Sequence, residues 1–345
     1  MQLIIPGNTS KSAKITSSRD LLRMTIWAAG VILAVIATAS GPDASAQAAR
    51  ATAGPFATLT VIIVASALAD RLGAFRILAS ALIPARGPKI ASAAAVLALT
   101  AFLSALVNLD VAVVVAMPVA LRAALRRGLS ADRLAVAVAL MANAASFLLP
   151  TSNVTNLLLL GRVPLGSAVY LGDSWLPWIL VIAATLGPLA WWAARAPAGQ
   201  GRAVTAGPSA RAMLDLVPMF LIASGIRALL GPGLALHGSF TSQLAVGALL
   251  ACGTSNLPAA AAMLPAGVPG LWAAILATTV GPNLLITGSV ATLICRRIAR
   301  DAGARLTVWQ FSVIGVALVP AQLAERRRSI HSQDPACEET PRISG

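Results

Sequence analysis

Nearly charge-free apolar stretches recur along the chain at residues 24–40, 55–69, 90–107, 109–121, 134–149, 175–194, 239–250, 271–295 and 306–324. They are apolar all round, without the polar stripe at helical spacing that a helix on a water-soluble core would show. Several are long enough to cross a hydrocarbon layer of about 30 Å as helices. The pattern predicts an all-α polytopic membrane protein.

Short Lys/Arg bursts between the stretches set the expected orientation. Lys11, Lys14, Arg19 and Arg23 place the N-terminus in the cytoplasm. Arg71, Arg76, Arg86 and Lys89 come back to that side, as do Arg122, Arg126, Arg127 and Arg133. Between Lys89 and Arg122 lie 32 residues, whereas two crossings need about 40. A re-entrant hairpin entering from the cytoplasm is therefore expected. Residues 134–171 read as one crossing interrupted at Pro150–Asn156, and 175–194 return to Arg195. The Gly/Ala/Pro-rich stretch 196–213 is the expected linker between two halves.

The second half repeats the first in order. "ASALADRLG" at Ala65–Gly73 lines up with "ASGIRALLG" at Ala223–Gly231, and "NLDVAVVVAMP" at Asn108–Pro118 with "NLPAAAAMLP" at Asn256–Pro265. The interrupted "PTSNVTNLLLL" at Pro150–Leu160 corresponds to "GPNLLITGSVATL" at Gly281–Leu293, which puts Asn153 opposite Asn283. An odd number of crossings in the first half turns the second copy upside down, giving two inverted repeats, each with a re-entrant hairpin and a broken helix. The expected layout is a disordered cytoplasmic tail at 1–20, a first transmembrane helix and outer loop at 21–50, and transport repeat 1 at 51–195. The linker 196–213, transport repeat 2 at 214–325 and a disordered tail at 326–345 follow. Basic residues through Arg23, the apolar run and the small residues at 43–48 also resemble a cleavable signal, so removal of residues 1–46 stays open.

Composition agrees. The chain is 57% hydrophobic and 11% charged, against about 25% charged residues in soluble domains. The net charge of +14 does not point to nucleic acid, because the basic residues sit in loops and one Tyr leaves little to stack on bases. Two His and three widely spaced Cys supply no metal cluster and no disulfide framework. No cofactor is expected, and an enzyme is not.

Four interruptions fall at polar or proline-bearing sites inside apolar stretches: Val107–Asp110, Pro150–Asn156, Ser255–Pro258 and Gly281–Ser289. Backbone groups freed there must find partners or line a cavity. The candidate binding residues are Asn108, Asp110, Ser152, Asn153, Thr155, Asn156, Ser255, Asn256, Asn283, Thr287 and Ser289. The bland alternative is that these residues glue helices together. Asp110 is the one acid inside the first hairpin. A charge at mid-membrane costs at least about 2.5–3.5 kcal/mol on insertion scales, so Asp110 is the expected proton-coupling residue. Asp70 reads as an interfacial partner of Arg71, Asp173 as a loop residue, Arg227 as a snorkelling cation and Cys252 as a small core residue.

The strings "SALVNLDVAVVVAMPV" (Ser104–Val119), "NAASFLLPTSNVTNLLLL" (Asn143–Leu160), "SNLPA" (Ser255–Ala259) and "GPNLLITGSVATLICRR" (Gly281–Arg297) resemble the arsenite efflux pump family. That family lies within the ion-transporter group that also holds dicarboxylate and citrate carriers. The resemblance spans about residues 55–325. It implies a secondary active transporter of the cell inner membrane, exporting arsenite or antimonite against protons. A carboxylate or inorganic-anion carrier of the same fold is the alternative, and a membrane subunit docking a cytoplasmic ATPase is another. Relatives have about eleven crossings, whereas this chain shows seven plus two hairpins, a shortened scaffold. The doubled Asn of the family's second hairpin is Ser255-Asn256 here, which leaves the substrate open. The partners implied are the solute, protons, the bilayer, an arsenite-stimulated ATPase and a second copy of the chain. The hairpin topology gives the first test. Arg86→Cys and Arg127→Cys should both resist an impermeant thiol reagent outside intact cells. Labelling of one alone means an odd number of crossings between them.

Overall fold

The computed structural model describes residues 18–83, 86–196, 216–230 and 233–332. Residues 1–17 of the expected tail at 1–20, residues 333–345 of the expected tail at 326–345 and nearly all of the linker lie outside the described residues. What is described is all-α apart from one two-residue parallel pair. The helices are α1 (Ser18–Ser40), α2 (Pro42–Arg71), α3 (Ala74–Leu82), α4 (Lys89–Leu106), α5 (Leu109–Arg127), α6 (Ala131–Ala145), α7 (Val154–Leu160) and α8 (Ser167–Ala194). Then come α9 (Leu216–Leu230), β1 (Leu234–Ala235), α10 (Phe240–Thr254), α11 (Asn256–Ala262), β2 (Met263–Leu264), α12 (Gly267–Thr279), α13 (Val290–Asp301) and α14 (Val308–Ser332).

Large apolar side chains point outward from many helices: Val31, Ile32, Val35 and Ile36 on α1, Val61 and Val64 on α2, and Leu249 on α10. The interior meanwhile holds Thr100, Ser104, Asn143, Asn156, Thr185, Asn283 and Thr292 among small apolar residues. That distribution suits a lipid solvent and would leave large sticky patches in water.

Contacts at the helix ends sort the chain's charges onto one face. Lys89 Nζ donates to Gly128 O at 2.6 Å, and Arg127 Nε donates to Ser92 Oγ at 3.1 Å. The open end of the α4–α5 hairpin is thus closed by its own cations. Gly128 adopts the left-handed conformation (φ 61°) that ends α5, and Ser130 caps α6 directly after it. Arg133 donates to Trp192 O at 2.9 Å and stacks on that indole, while Arg195 lies over Trp191. Asp132 Oδ1 accepts from Arg305 N at 2.7 Å. The start of α4, the ends of α5 and α8, the start of α6 and the turn after α13 therefore share a face rich in Arg, Lys and Trp, as the charge bursts predict.

Several boundaries differ from expectation. No outer loop separates the first two stretches: Gly41 alone stands between α1 and α2. The Ala-rich run at 43–53 favours helix, and Pro42 suits a first helical position. Residues 74–82, expected as loop, form α3 against α5. α5 continues through Arg122 and Arg127, so the count of 32 residues stopped short of the hairpin's end. Its arms are about 27–28 Å long. α8 begins at Ser167, so Asp173 is helical. α14 runs to Ser332 through Arg326–Arg328, with Gly315 and Pro320 inside it.

α1 packs against α9 on two glycines. A Cβ on Gly30 would stand 3.0 Å from Pro218 O, and one on Gly225 would stand 3.0 Å from Leu33 Cβ. Gly225→Leu should push the helices apart and lower stability by about 1–3 kcal/mol, the usual cost of overpacking. Thermal unfolding in detergent reads the effect; an unchanged midpoint would mean that the seam contributes little.

Candidate functional site

Pro150 has no N–H and disfavours helix at Leu149, which is extended (φ −114°, ψ 155°). α6 has already stopped at Ala145, leaving a run of carbonyls to satisfy. A stripe of α8 at spacing four does so. Trp178 Nε1 donates to Ala145 O (2.9 Å), Tyr170 OH to Phe147 O (3.1 Å) and Ser174 Oγ to Leu148 O (2.7 Å). Asn156 Nδ2 adds a bond to Ser146 O at 3.0 Å. Asn153 Oδ1 caps α7 by accepting from Thr155 N at 3.1 Å.

The tip of the first hairpin docks on this break. Asn108 Nδ2 donates to Thr151 O at 3.1 Å, and Ser104 Oγ donates to Ala142 O at 2.6 Å. Ser152 Oγ donates to Ala105 O. Asn108 Oδ1 also accepts from Asp110 N at 2.8 Å, so Asn108 is the cap of α5 and Asp110 is free of that task. The Asp110 side chain is buried and its carboxylate has no hydrogen-bond partner among the described residues. α5 packs on α13, which brings Asp110 within electrostatic reach of Cys295.

The second break has a backbone conformation like the first, in a register other than the expected one. Leu285 is extended (φ −133°, ψ 140°), a three-residue 3-10 turn follows at Ile286–Gly288, and Ser289 (φ −141°, ψ 135°) opens α13. Leu149, the turn Pro150–Ser152 and Asn153 (φ −148°, ψ 138°) have the same sequence of conformations. Asn153 thus corresponds to Ser289 and not to Asn283. Asn283 lies in an extra turn, Gly281–Leu284, and the shared Pro–Asn letters misled the alignment. The docking of the hairpin is also shared. Thr287 Oγ1 donates to Cys252 O at 3.3 Å, and Cys252 Sγ contacts Gly281 O at 3.4 Å. In each half a hydroxyl of the break holds the carbonyl three residues before the hairpin's turn: Ala105 before Asn108, Cys252 before Ser255. Ser255, at the second tip, has φ 82° and ψ 153°, a region nearly reserved for glycine. Such a residue costs on the order of 1–3 kcal/mol. Asn256 follows it, buried, with its Oδ1 3.4 Å from Ser255 Oγ.

One residue ties the two breaks together. Asn143 Nδ2 donates to Asn283 Oδ1 and to Thr292 Oγ1, both at 3.0 Å, and Asn283 Nδ2 donates to Leu140 O at 3.2 Å. Among the buried polar atoms without a hydrogen-bond partner in the described residues are Thr155 Oγ1, Asn156 Oδ1 and Ser289 Oγ, beside the two breaks. All three belong to the starts of α7 and α13. Asn143 and Thr292 were not among the expected site residues. An isolated Asn inside the apolar run 134–149 was the available signal.

The citrate transporter family model matches residues 14–319, most of the chain. The chain belongs to the citrate transporter family. No curated protein matches it. This member of the citrate transporter family is therefore a membrane carrier and not an enzyme. The broad ion-transporter group expected from the motifs stands, while the arsenite branch is not what this match supports.

In this citrate-family carrier the eleven expected residues divide by the work they do. Ser152, Asn153, Asn283 and Thr287 spend their polar atoms on backbone or on each other's break. Thr155, Asn156 and Ser289 keep an unpartnered atom, Asn108, Ser255 and Asn256 mark the hairpin tips, and Asp110 sits behind the first tip. Asn143→Leu would orphan acceptors on both sides of the node, at about 1–3 kcal/mol for each buried group left unpaired. The variant should insert in the membrane but unfold at a clearly lower temperature and lose transport. A wild-type melting curve with normal flux would detach the breaks from this node.

Proposed function

We propose that the chain is a multi-pass secondary carrier of the inner (plasma) membrane that moves a small carboxylate, coupled to protons through Asp110. The observation that carries this reading is the set of buried, unpartnered polar atoms (Thr155 Oγ1, Asn156 Oδ1 and Ser289 Oγ) at the two helix starts. Buried polar atoms normally have partners, so a solute supplying donors and acceptors is the natural one. The start of α13, twelve residues long, adds free N–H groups and the positive end of a helix dipole. That favours an anion over a neutral solute, and the family description agrees. Two hairpins docked on two equivalent breaks support the inverted-repeat, re-entrant reading, in which hairpins and breaks move together past the remaining helices.

Export of arsenite or antimonite as neutral trihydroxides is the competing reading, because the node holds hydroxyls and amides but no fixed cation. Purified protein in liposomes decides between them. Labelled citrate should accumulate saturably under an imposed proton gradient, while arsenite should not move. Carriage of arsenite with no citrate uptake would reverse the choice. Asp110→Asn cannot take up or release a proton, so it should keep substrate binding but lose the acceleration by the gradient. Gradient-driven uptake as fast as wild type would remove Asp110 from the mechanism.

A further inference from the structure

The carrier site makes no use of the corner where α8 ends and α14 begins. Gln322 Nε2 donates to Thr185 Oγ1 at 2.8 Å, which fixes the register of these two packed helices. From that bond Arg195 lies ten residues, about 15 Å, along α8, and Trp309 lies thirteen residues, about 20 Å, back along α14. The two residues thus stand within about one helical turn of the same level, at the ends of helices packed about 8–10 Å apart. The start of α6 joins them to the turn after α13. Asp132 Oδ1 accepts from Arg305 N at 2.7 Å, and the next residue, Arg133, donates to Trp192 O at 2.9 Å.

Arg195 and Arg305 are exposed, and so are the indoles of Trp191 (49%) and Trp309 (78%). Rings that open to solvent suit the headgroup level of a bilayer, where one side of an indole is apolar and the other wet. Below Trp309 the exposed Val313 and Val316 continue the same face of α14 at helical spacing, so the corner runs directly into lipid-facing surface. Arg195 Cζ lies 4.2 Å from the Trp191 ring. Such stacking uses the flat face of a guanidinium and leaves its N–H edge for hydrogen bonds. The acids on these elements are Asp132, which accepts from the Arg305 amide, and Asp301, 3.4 Å from Arg300. Against them stand Arg133, Arg195, Arg300 and Arg305, so the corner is positive.

We propose that this corner seats the headgroup of an anionic phospholipid, with its phosphate between Arg195 and Arg305 and its glycerol against Trp191 and Trp309. Guanidiniums give a phosphodiester bidentate, charge-assisted hydrogen bonds, and basic sites between helix ends are where such headgroups dock. A zwitterionic lipid is the poorer occupant, because its choline meets the same cations. The acyl chains then lie along Val313 and Val316. The lipid joins α8, which serves the first break, to α14, which lies against the second.

The test uses the full chain in phosphatidylcholine nanodiscs that carry a minor fraction of phosphatidylglycerol brominated high in its chains, which quenches tryptophan on contact. Quenching should exceed that from the same fraction of brominated phosphatidylcholine, and the excess should vanish when Trp191→Phe and Trp309→Phe are combined. Arg195→Gln with Arg305→Gln should need roughly thirtyfold more phosphatidylglycerol for the same excess, and either change alone roughly fivefold, as for cations lost near a membrane surface. Arg126→Gln, at the exposed end of α5, should change little. Equal quenching by the two lipids, or an excess that the Gln substitutions leave unchanged, would overturn the seat. An equal fall in Arg126→Gln would overturn it by showing diffuse attraction to the whole face. Loss of the excess on adding inorganic phosphate at the lipid's own concentration would assign the arginines to a free anion instead. Transport is read in no arm, so failure here leaves the choice of carried solute untouched.

Discussion

The bonds that Asn143 makes to Asn283 and Thr292 are the constraint on which the rest of the site depends. A broken helix exposes polar backbone where no water is at hand, and each half has one such break. By placing one amide between them, the fold gives both breaks a common anchor and a fixed spacing. Asn143, Asn283 and Thr292 are each at most 1% exposed, so the node's bonds are shielded from bulk solvent.

The remaining freed groups find partners in layers. α8 supplies a tyrosine, a serine and a tryptophan to the carbonyls after α6. The hairpin tips are held through backbone carbonyls, by Ser152 in one half and Thr287 in the other. Behind the second break, Gly315 of α14 lies so close to Asn283 O that no side chain fits between them. Thr155, Asn156 and Ser289, at the helix starts beside the breaks, are among the buried residues that keep an unpartnered polar atom.

Arg, Lys and Trp gather on the face where α4 starts and α5 and α8 end, with cations bonded to carbonyls or stacked on indoles.

Much of this was legible from letters alone. Long charge-free runs determine helices in lipid, because nothing else satisfies the backbone there, and the four interruptions at Asn108, Pro150, Ser255 and Pro282 lie where the structure has its breaks and tips. Tertiary structure alone decided which break residues are equivalent, since Asn153 and Ser289 share a conformation but not a side chain. It alone showed that Asn283 is framework while Thr155, Asn156 and Ser289 are open, because satisfaction depends on partners roughly 140 residues away in sequence. The reach of α8 back to Ser167 was likewise hidden: its polar stripe has meaning only against carbonyls that another helix leaves free.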